Sequence, residues 1–547
     1  MSRWRVVAAI GTLVTLALSA LVLAGSIPSN VDDGFIVLVY ARHFAETGRI
    51  FWNASDGAVD GFTSFLDMMV KAASARIAPG DLVRNAHVIA LVTYFGSVAV
   101  GAGVAYAACA RRDPPTATGA TGATREMIFA SVAALVFAFH FALAQATSFL
   151  LEGPMFTLLT LASAAVLLLA DTTKRRVQVA LVALWVLLGL ARPEGVPLAV
   201  GEAAWLAFVI ARGRATKERF APGAAFLAIM AVYALWHRSY FGAWAPNTFY
   251  AKSSDSRLNE IADGAAYVRA YASAGVVNAV LVVAMFASPL LALRRSLWCS
   301  NDARLRFAGV ALLGAVAGLE VVVEGGDSYE GGRFLAAPIA LVLLAIALAV
   351  AGLEGRARHG AVAVAGLVVL SGLARGTSHP DERLRRVKSW PIHEADYACE
   401  IEVAAAVAAR VSVVAQTDFQ RLKFYRDDLK VIDLMGLNDR ALAHSASPGR
   451  NRWGKGGPAA APASHADVLE IGIVAIQPAQ MSRFGVPQIV RTDRLATAFI
   501  GYPVPDEARA ALAADYTTAS LPICGLYFNF FVRKDVAPRF TDIATVH

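Results

Sequence analysis

The sequence predicts a polytopic α-helical membrane protein, with about 11 transmembrane helices and a C-terminal soluble α/β domain. Three observations predict it. Of 547 residues, 57% are apolar and only 17% charged, and the mean hydropathy is +0.52, values of a chain that lives in a bilayer. The apolar residues fall in long runs that carry almost no charge. The basic residues gather in every second short connection, as in loops left on the cytoplasmic side of a membrane. That distribution accounts for the net charge of +8 without a nucleic-acid partner. No zinc-type cysteine spacing, Walker loop or dinucleotide fingerprint is present.

The first run, residues 5–26, follows Arg3 and Arg5 and reads as a retained helix. It is longer than the roughly 7–15 apolar residues of a signal peptide. Further spans are expected at 86–109, 127–146, 154–170, 177–191, 196–211, 221–237, 273–293, 307–323, 334–352 and 360–375. The intervening cytoplasmic loops hold Arg111-Arg112, Lys174 to Arg176, Arg212 to Arg219, Arg294-Arg295 with Arg304 and Arg306, and Arg356 with Arg358. The opposite loops are 27–85, 147–153, 192–195, 238–272 and 324–333. They contain Asp32, Asp33, Glu152, Arg192, Glu194, Asn247, Lys252, Asp327 and Arg333, so the unusual polar residues collect on one side. The chain divides into a membrane domain, 1–375, with a periplasmic loop at 27–85, and a periplasmic soluble domain, 376–547. In the latter, Val403 to Ala409 reads as a helix; Val411 to Ala415, Leu429 to Asp433, Ile473 to Ile476 and Leu526 to Val532 read as strands; and 446–466 reads as a loop.

The acidic pair Asp32-Asp33 follows the first run directly, at the depth where an enzyme acting on a lipid-carried substrate needs its acid or base. The alternative is a solvated acidic cap on a spanning helix. Phe35 to Glu46 reads as an amphipathic helix in the membrane interface, ended by Gly48, and Phe62 to Ile77 as a second one. Lone His140 lies within a span and reads as a packed core residue, and Asn53 reads as a turn cap.

These residues carry a resemblance. Asp32-Asp33-Gly-Phe-Ile, Tyr40-Ala-Arg42 and Val59-Asp60-Gly-Phe-Thr-Ser64 resemble the first periplasmic loop of GT-C membrane glycosyltransferases, in particular the AftB-type arabinofuranosyltransferases. So do Leu151-Glu-Gly-Pro-Met-Phe156, Arg192-Pro-Glu-Gly195, Pro246-Asn-Thr-Phe-Tyr-Ala-Lys252, Gly325-Gly-Asp327 with Gly332-Arg-Phe334, and Val431-Ile-Asp-Leu-Met-Gly-Leu437. Val39, Asp60 and Leu66-Asp67 depart from the family pattern at positions that tune a sugar pocket. The resemblance implies an inverting-type GT-C glycosyltransferase of the inner membrane. It would move a sugar, a pentose such as arabinofuranose, from a polyprenyl-phosphate donor to a cell-envelope glycan or protein acceptor on the outer face.

Such a transfer needs a base for the acceptor hydroxyl, positive charge for the leaving phosphate and a grip on the sugar. Asp32 or Asp33 is the expected base. Arg192, Lys252 and Arg333 are the expected phosphate clamp, the alternative being cations that snorkel to headgroups. Arg42 is a further candidate, with a lipid-facing anchor as its alternative. Glu152, Glu194, Asn247 and Asp327 are candidates for sugar contacts, with ion pairing to nearby arginines as the alternative for the acids and a turn cap as the alternative for Asn247. The sequence establishes no cofactor, and a divalent cation at the acids is left open. Cys399 and Cys524 are expected to form a disulfide, against two separately buried thiols, because they are the two cysteines of the outer domain.

Two rival readings stand beside this one. A lipid or glycan transporter would carry charges at mid-span and repeated halves, and a non-catalytic assembly protein would tolerate loss of the acidic pair. The loop charges give a direct test of orientation. Reporter fusions after Arg112, Arg176 and Arg214 should read as cytoplasmic, and fusions after Asn53, Tyr250 and Asp433 as periplasmic. A cytoplasmic signal at Asp433 would overturn the assigned sidedness.

Overall fold

A computed structural model of the chain describes residues 32–112, 137, 150–211, 220–253, 256–327, 332–377, 394–416, 420–445, 464–469, 506–523 and 526–546. The spans expected at 5–26 and 127–146, His140, the strand expected at Ile473 to Ile476, most of the 446–466 loop and Cys524 lie outside the described residues.

Helices α1 (Asp32–Thr47), α2 (Phe65–Ile77), α3 (Leu82–Arg112), α4 (Gly153–Leu169), α5 (Arg175–Ala191), α6 (Gly195–Ala211) and α7 (Ala221–Phe241) come first. They are followed by α8 (Asn247–Lys252), α9 (Arg257–Ser273), α10 (Val276–Ala287), α11 (Asn301–Val323), α12 (Ala336–Gly352) and α13 (Gly355–Thr377). Among the described residues four stretches are long and apolar enough to cross a membrane: Leu82–Ala110, Val276–Leu293, Asn301–Val323 and Arg333–Gly352. Helix α12 carries no polar side chain and is buried nearly all round. A helix that is apolar on every face belongs at the centre of a bundle, and α12 packs against α3, α4, α11 and α13.

Two expected boundaries change. The span read as 273–293 is broken, because α10 stops at Ala287 and Ser288–Leu293 continues as a 3-10 turn. Pro289 there has no amide hydrogen to extend the α-helical ladder. The segment read as one outer loop, 238–272, holds α8 and most of α9, and α9 packs on α11.

Among the described residues, 394–546 contain α14 (Glu394–Ala408), α15 (Arg421–Tyr425), α16 (Arg440–Ala443) and α17 (Asp506–Asp515) around a six-stranded sheet. Its strands are β1 (Val413–Gln416), β2 (Lys430–Asp433), β3 (Val468–Leu469), β4 (Tyr516–Ile523), β5 (Leu526–Arg533) and β6 (Thr545–Val546). The order is β2-β1-β3-β5-β4-β6, with β1 parallel to both β2 and β3 and the remaining pairs antiparallel. The run read as the last strand is β5, and β6 follows it.

The interfacial reading of α1 is overturned. Phe35 to Ala41 are all buried, and they share one apolar core with the sheet residues Val414, Val431 and Val468. Phe35 packs edge-on to Phe424, with ring centroids 5.4 Å apart. The flank that read as lipid-facing is covered by a segment almost 400 residues later in the chain. Helix α2 likewise docks into protein: Lys71 and Asp67 form a buried ion pair, and Lys71 Nζ donates to Leu150 O at 2.7 Å.

The edge of the sheet is closed by the 51–64 segment. Asn53 Oδ1 accepts from the Val431 amide at 3.0 Å, while Asn53 Nδ2 and Trp52 Nε1 donate to Val431 O at 2.9 and 2.8 Å. Two side chains thus do for β2 what a neighbouring strand would do, and an unpaired edge is avoided. Gly61 lies so close that a Cβ there would sit 1.8 Å from Asn438 Oδ1. Arg440 donates to Phe241 O at 2.8 Å and Gly242 O at 2.9 Å, satisfying carbonyls that the end of α7 leaves open. His43 faces Phe51 O through Nδ1 and Asp427 through Nε2, both at 2.9 Å.

Burial raises the Asp427 carboxyl, but His43 and Lys423 outweigh it and hold this group well below the usual carboxylate range. Its folded value is lower than its unfolded one. The stability it adds is therefore present above the unfolded value and is lost progressively as pH falls from there through the folded one. Thermal midpoints measured from neutral pH down to about pH 3 should fall more steeply for the wild type than for Asp427→Asn. Equal acid slopes would remove Asp427 from the junction.

Candidate active site

The five loops read as outer meet. A cavity of about 630 Å³ lies where the polar ends of the helices face the 394–546 segment. Loop 27–85 contributes Asp33 and Gly61 to Thr63; 147–153 contributes Leu151 and Glu152; 192–195 contributes Arg192 to Glu194. Loop 238–272 contributes Trp244 to Pro246, Thr248, Phe249, Lys252 and Glu260, and 324–333 contributes Glu324 to Asp327 and Arg333. Leu437, from the turn after β2, forms part of the roof. Gly189, Leu190, Val196, Met230 and Ala234 line an apolar side between α5, α6 and α7.

The two carboxylates of the acidic pair part company. Successive residues on a helix point about 100° apart. Asp32 turns to the C-terminal segment, where it accepts from the amides of Gln420 at 2.5 Å and Arg421 at 3.0 Å and pairs with Arg421 Nε at 3.1 Å. It is 7% exposed and does not line the cavity. Asp33 does line it, half-buried, with no hydrogen bond or ion pair among the described residues. Burial raises its carboxyl above the usual value; Lys252 and Arg333 pull the other way, and Asp32 adds to the rise.

The cations differ in their partners. Arg192 is buried and pairs with both Glu152 and Glu194. Arg333 pairs with Asp327 through two parallel bonds, Nε to Oδ2 at 2.7 Å and Nη2 to Oδ1 at 2.9 Å. Both guanidinium groups lie over the Phe334 ring, at 4.3 and 5.0 Å from its centroid. Ion pairing, the alternative weighed for Glu152, Glu194 and Asp327, is thus realised, and each pair still borders the cavity. Lys252 also borders it, and has no ion-pair or hydrogen-bond partner among the described residues. No group of three His, Cys, Asp or Glu side chains among the described residues is arranged to hold a metal ion.

Other expected contacts fall elsewhere. Arg42 faces neither lipid nor the cavity: it donates to Phe424 O at 2.7 Å and lies over the Phe424 ring. Asn247 is 3% exposed and donates to Gly436 O and Leu437 O, both at 2.9 Å, so it anchors the roof and does not enter the cavity. The expected disulfide is not tested, because the Cys399 side chain and Cys524 lie outside what the structure describes.

The sequence reading missed several polar residues. His237, Glu260 and Glu324 line the cavity. His237 sits at the end of an apolar run, where a lone histidine gives no signal of its own. Burial raises the Asp60 carboxyl, and His237 opposes that rise. Glu202 lies inside a span read as nearly charge-free; its carboxyl accepts from Trp185 Nε1 at 2.6 Å and Ser163 Oγ at 2.9 Å. In the roof, burial pushes Asp433 up to about 7, against hydrogen bonds from Asn438 and Met435.

Helices and cavity together define a membrane protein with a charged chamber at one end of its bundle. No protein-family model matches the chain, and no curated protein matches it. Among solved structures the chain is similar to ArnT from Cupriavidus metallidurans in the apo state. The two share 14% identity and a TM-score of 0.48, over 88% of this chain and 95% of that one.

The split of the acidic pair is testable by stability alone. Asp32→Asn takes a carboxylate from the buried Arg421 and should cost about 3–5 kcal/mol, read as a lowered midpoint in thermal or denaturant melts. Asp33→Asn should leave the midpoint unchanged. Equal losses from both substitutions would place the two residues in one role.

Proposed function

We propose that the protein is a GT-C-type glycosyltransferase. Its donor is a polyprenyl-phosphate sugar, a pentose such as arabinofuranose, and its acceptor is a glycan or protein of the cell envelope on the outer face of the inner membrane. The observation that carries the reading is the company Asp33 keeps. A carboxylate and an amine, Asp33 and Lys252, face one cavity without partners among the described residues, while two paired arginines form its wall. The apolar side between α5, α6 and α7 suits a prenyl chain, and the charged end suits its phosphate.

In this reading the acceptor hydroxyl gives its proton to an Asp33 oxygen while its own oxygen bonds the anomeric carbon. The bond from that carbon to the phosphate oxygen breaks, and polyprenyl phosphate leaves with the electron pair. Burial makes Asp33 a stronger base than a solvated carboxylate. Lys252 meets the growing phosphate charge as a point charge. Arg192 and Arg333, already paired, add hydrogen-bond donors with less net charge. Glu152, Glu194 and Asp327 hold those arginines and border the sugar. The membrane part, 1–375, supplies most of this chemistry, and 376–547 closes the roof and meets the acceptor.

Transfer from a panel of synthetic polyprenyl-phosphate sugars tests the reading. Asp33→Asn should lower turnover by about 10²-fold or more, the scale of a lost general base. Lys252→Gln should raise KM for the donor and leave KM for the acceptor unchanged. Wild-type transfer rates in Asp33→Asn would sink the mechanism.

A further inference from the structure

His237 and Asp60 belong to neither the base nor the phosphate clamp, yet they connect to the helix that ends at Lys252. His237 is 3% exposed, in the last turns of α7. Its Nδ1 lies 2.9 Å from Ala243 O and its Nε2 lies 2.7 Å from Asp60 Oδ2. Both ring nitrogens therefore face acceptors. A neutral imidazole has a single N–H to give. Nδ1–H serves the carbonyl, so a second proton must lie between Nε2 and Asp60. With that proton on Nε2 the contact is a charge-assisted hydrogen bond, stronger than a neutral one.

Asp60 passes the restraint on. Its Oδ1 and its backbone carbonyl each lie 3.2 Å from the Asn247 amide, which donates to them. Asn247 is the first residue of α8, and Lys252 is the last. Helix α8 is six residues long, and Pro246 before it offers no side-chain cap. A helix this short has little stability of its own. Its place is set from outside, by Asp60 at its start and by the roof carbonyls that Asn247 Nδ2 binds.

We propose that Asp60 and His237 form a positioning pair that fixes α8, and through it holds Lys252 opposite Asp33. His237 borders the cavity, and the role assigned to the pair is exerted through Lys252. Its link to donor binding rests on the function proposed above, but the placement of Lys252 does not, and the two are separable by experiment. Competitive amine labelling of the full-length protein in detergent, read by mass spectrometry, reports the reactivity of Lys252 without any transfer reaction. His237→Phe and Asp60→Ala should each change the labelling rate of Lys252 by about tenfold, the scale of a lost charge-assisted bond, and leave Lys71 and Lys430 at their wild-type rates. His237→Gln keeps one donor for Asp60 and should fall between wild type and His237→Phe; it also serves if the phenylalanine variant does not fold. Unchanged Lys252 labelling in a folded variant would overturn the positioning role. In the transfer assay, the same variants should raise donor KM by about tenfold with kcat within twofold of wild type. A fall in kcat at unchanged donor KM would break the link to the phosphate while leaving the labelling result to stand or fall by itself.

Discussion

The structure depends on one docking contact, the edge of the C-terminal sheet against the segment that follows α1. Val431 sits at the sheet edge with an amide and a carbonyl to satisfy, and Asn53 and Trp52 satisfy both. Apolar burial supplies the area: α1 and the sheet share a single core, so neither surface faces water. Hydrogen bonds then fix the register, since a small slide would leave buried polar groups unpartnered. Around this contact Arg440 closes the end of α7, Asn247 holds the 436–437 turn, and Asp32 binds the start of α15. The cavity is what remains beneath the roof so formed.

Charge inside that cavity is arranged by local neutralisation. An isolated ion in an apolar environment is costly, and pairing offsets much of the cost. Arg192 has two carboxylates, Arg333 has a bidentate one, and Arg257 reaches Glu260 at 2.7 Å. These pairs form a rigid wall, because moving either partner would expose the other. Asp33 and Lys252 stand outside this scheme, and the pull of Lys252 on Asp33 works through space. In the proposed reaction these are the two groups that meet a proton and an anion from outside.

Much of the bundle was legible because apolar runs and proline positions are local signals. The limits of α4, α5 and α12 follow their apolar runs closely, and the β1, β2 and β5 segments follow theirs. The polar residues of the five outer loops also pointed to one place, since sidedness in a membrane is a coarse but strong restraint. What was not legible depends on distance along the chain. The cover of α1 lies almost 400 residues away, so Phe35 to Val39 read as lipid-facing. Arg42 read as a lipid anchor or a ligand, and Asn247 as a turn cap or a ligand, because their carbonyl partners leave no trace in side-chain patterns. Asp32 and Asp33 were inseparable in sequence; only the helical rotation between them assigns one to the roof and the other to the chamber.

The distance between α1 and its cover also has a consequence in time. Arg42 and Phe424 are 382 residues apart. At ribosomal rates of about 5–20 residues per second, α1 leaves the ribosome on the order of 20–80 s before the residues that bury it. During that interval its apolar flank has no protein partner, and the bilayer surface is the nearest place for it to rest. The flank that meets Phe424 therefore stays uncovered by its final partner until the last third of the chain arrives.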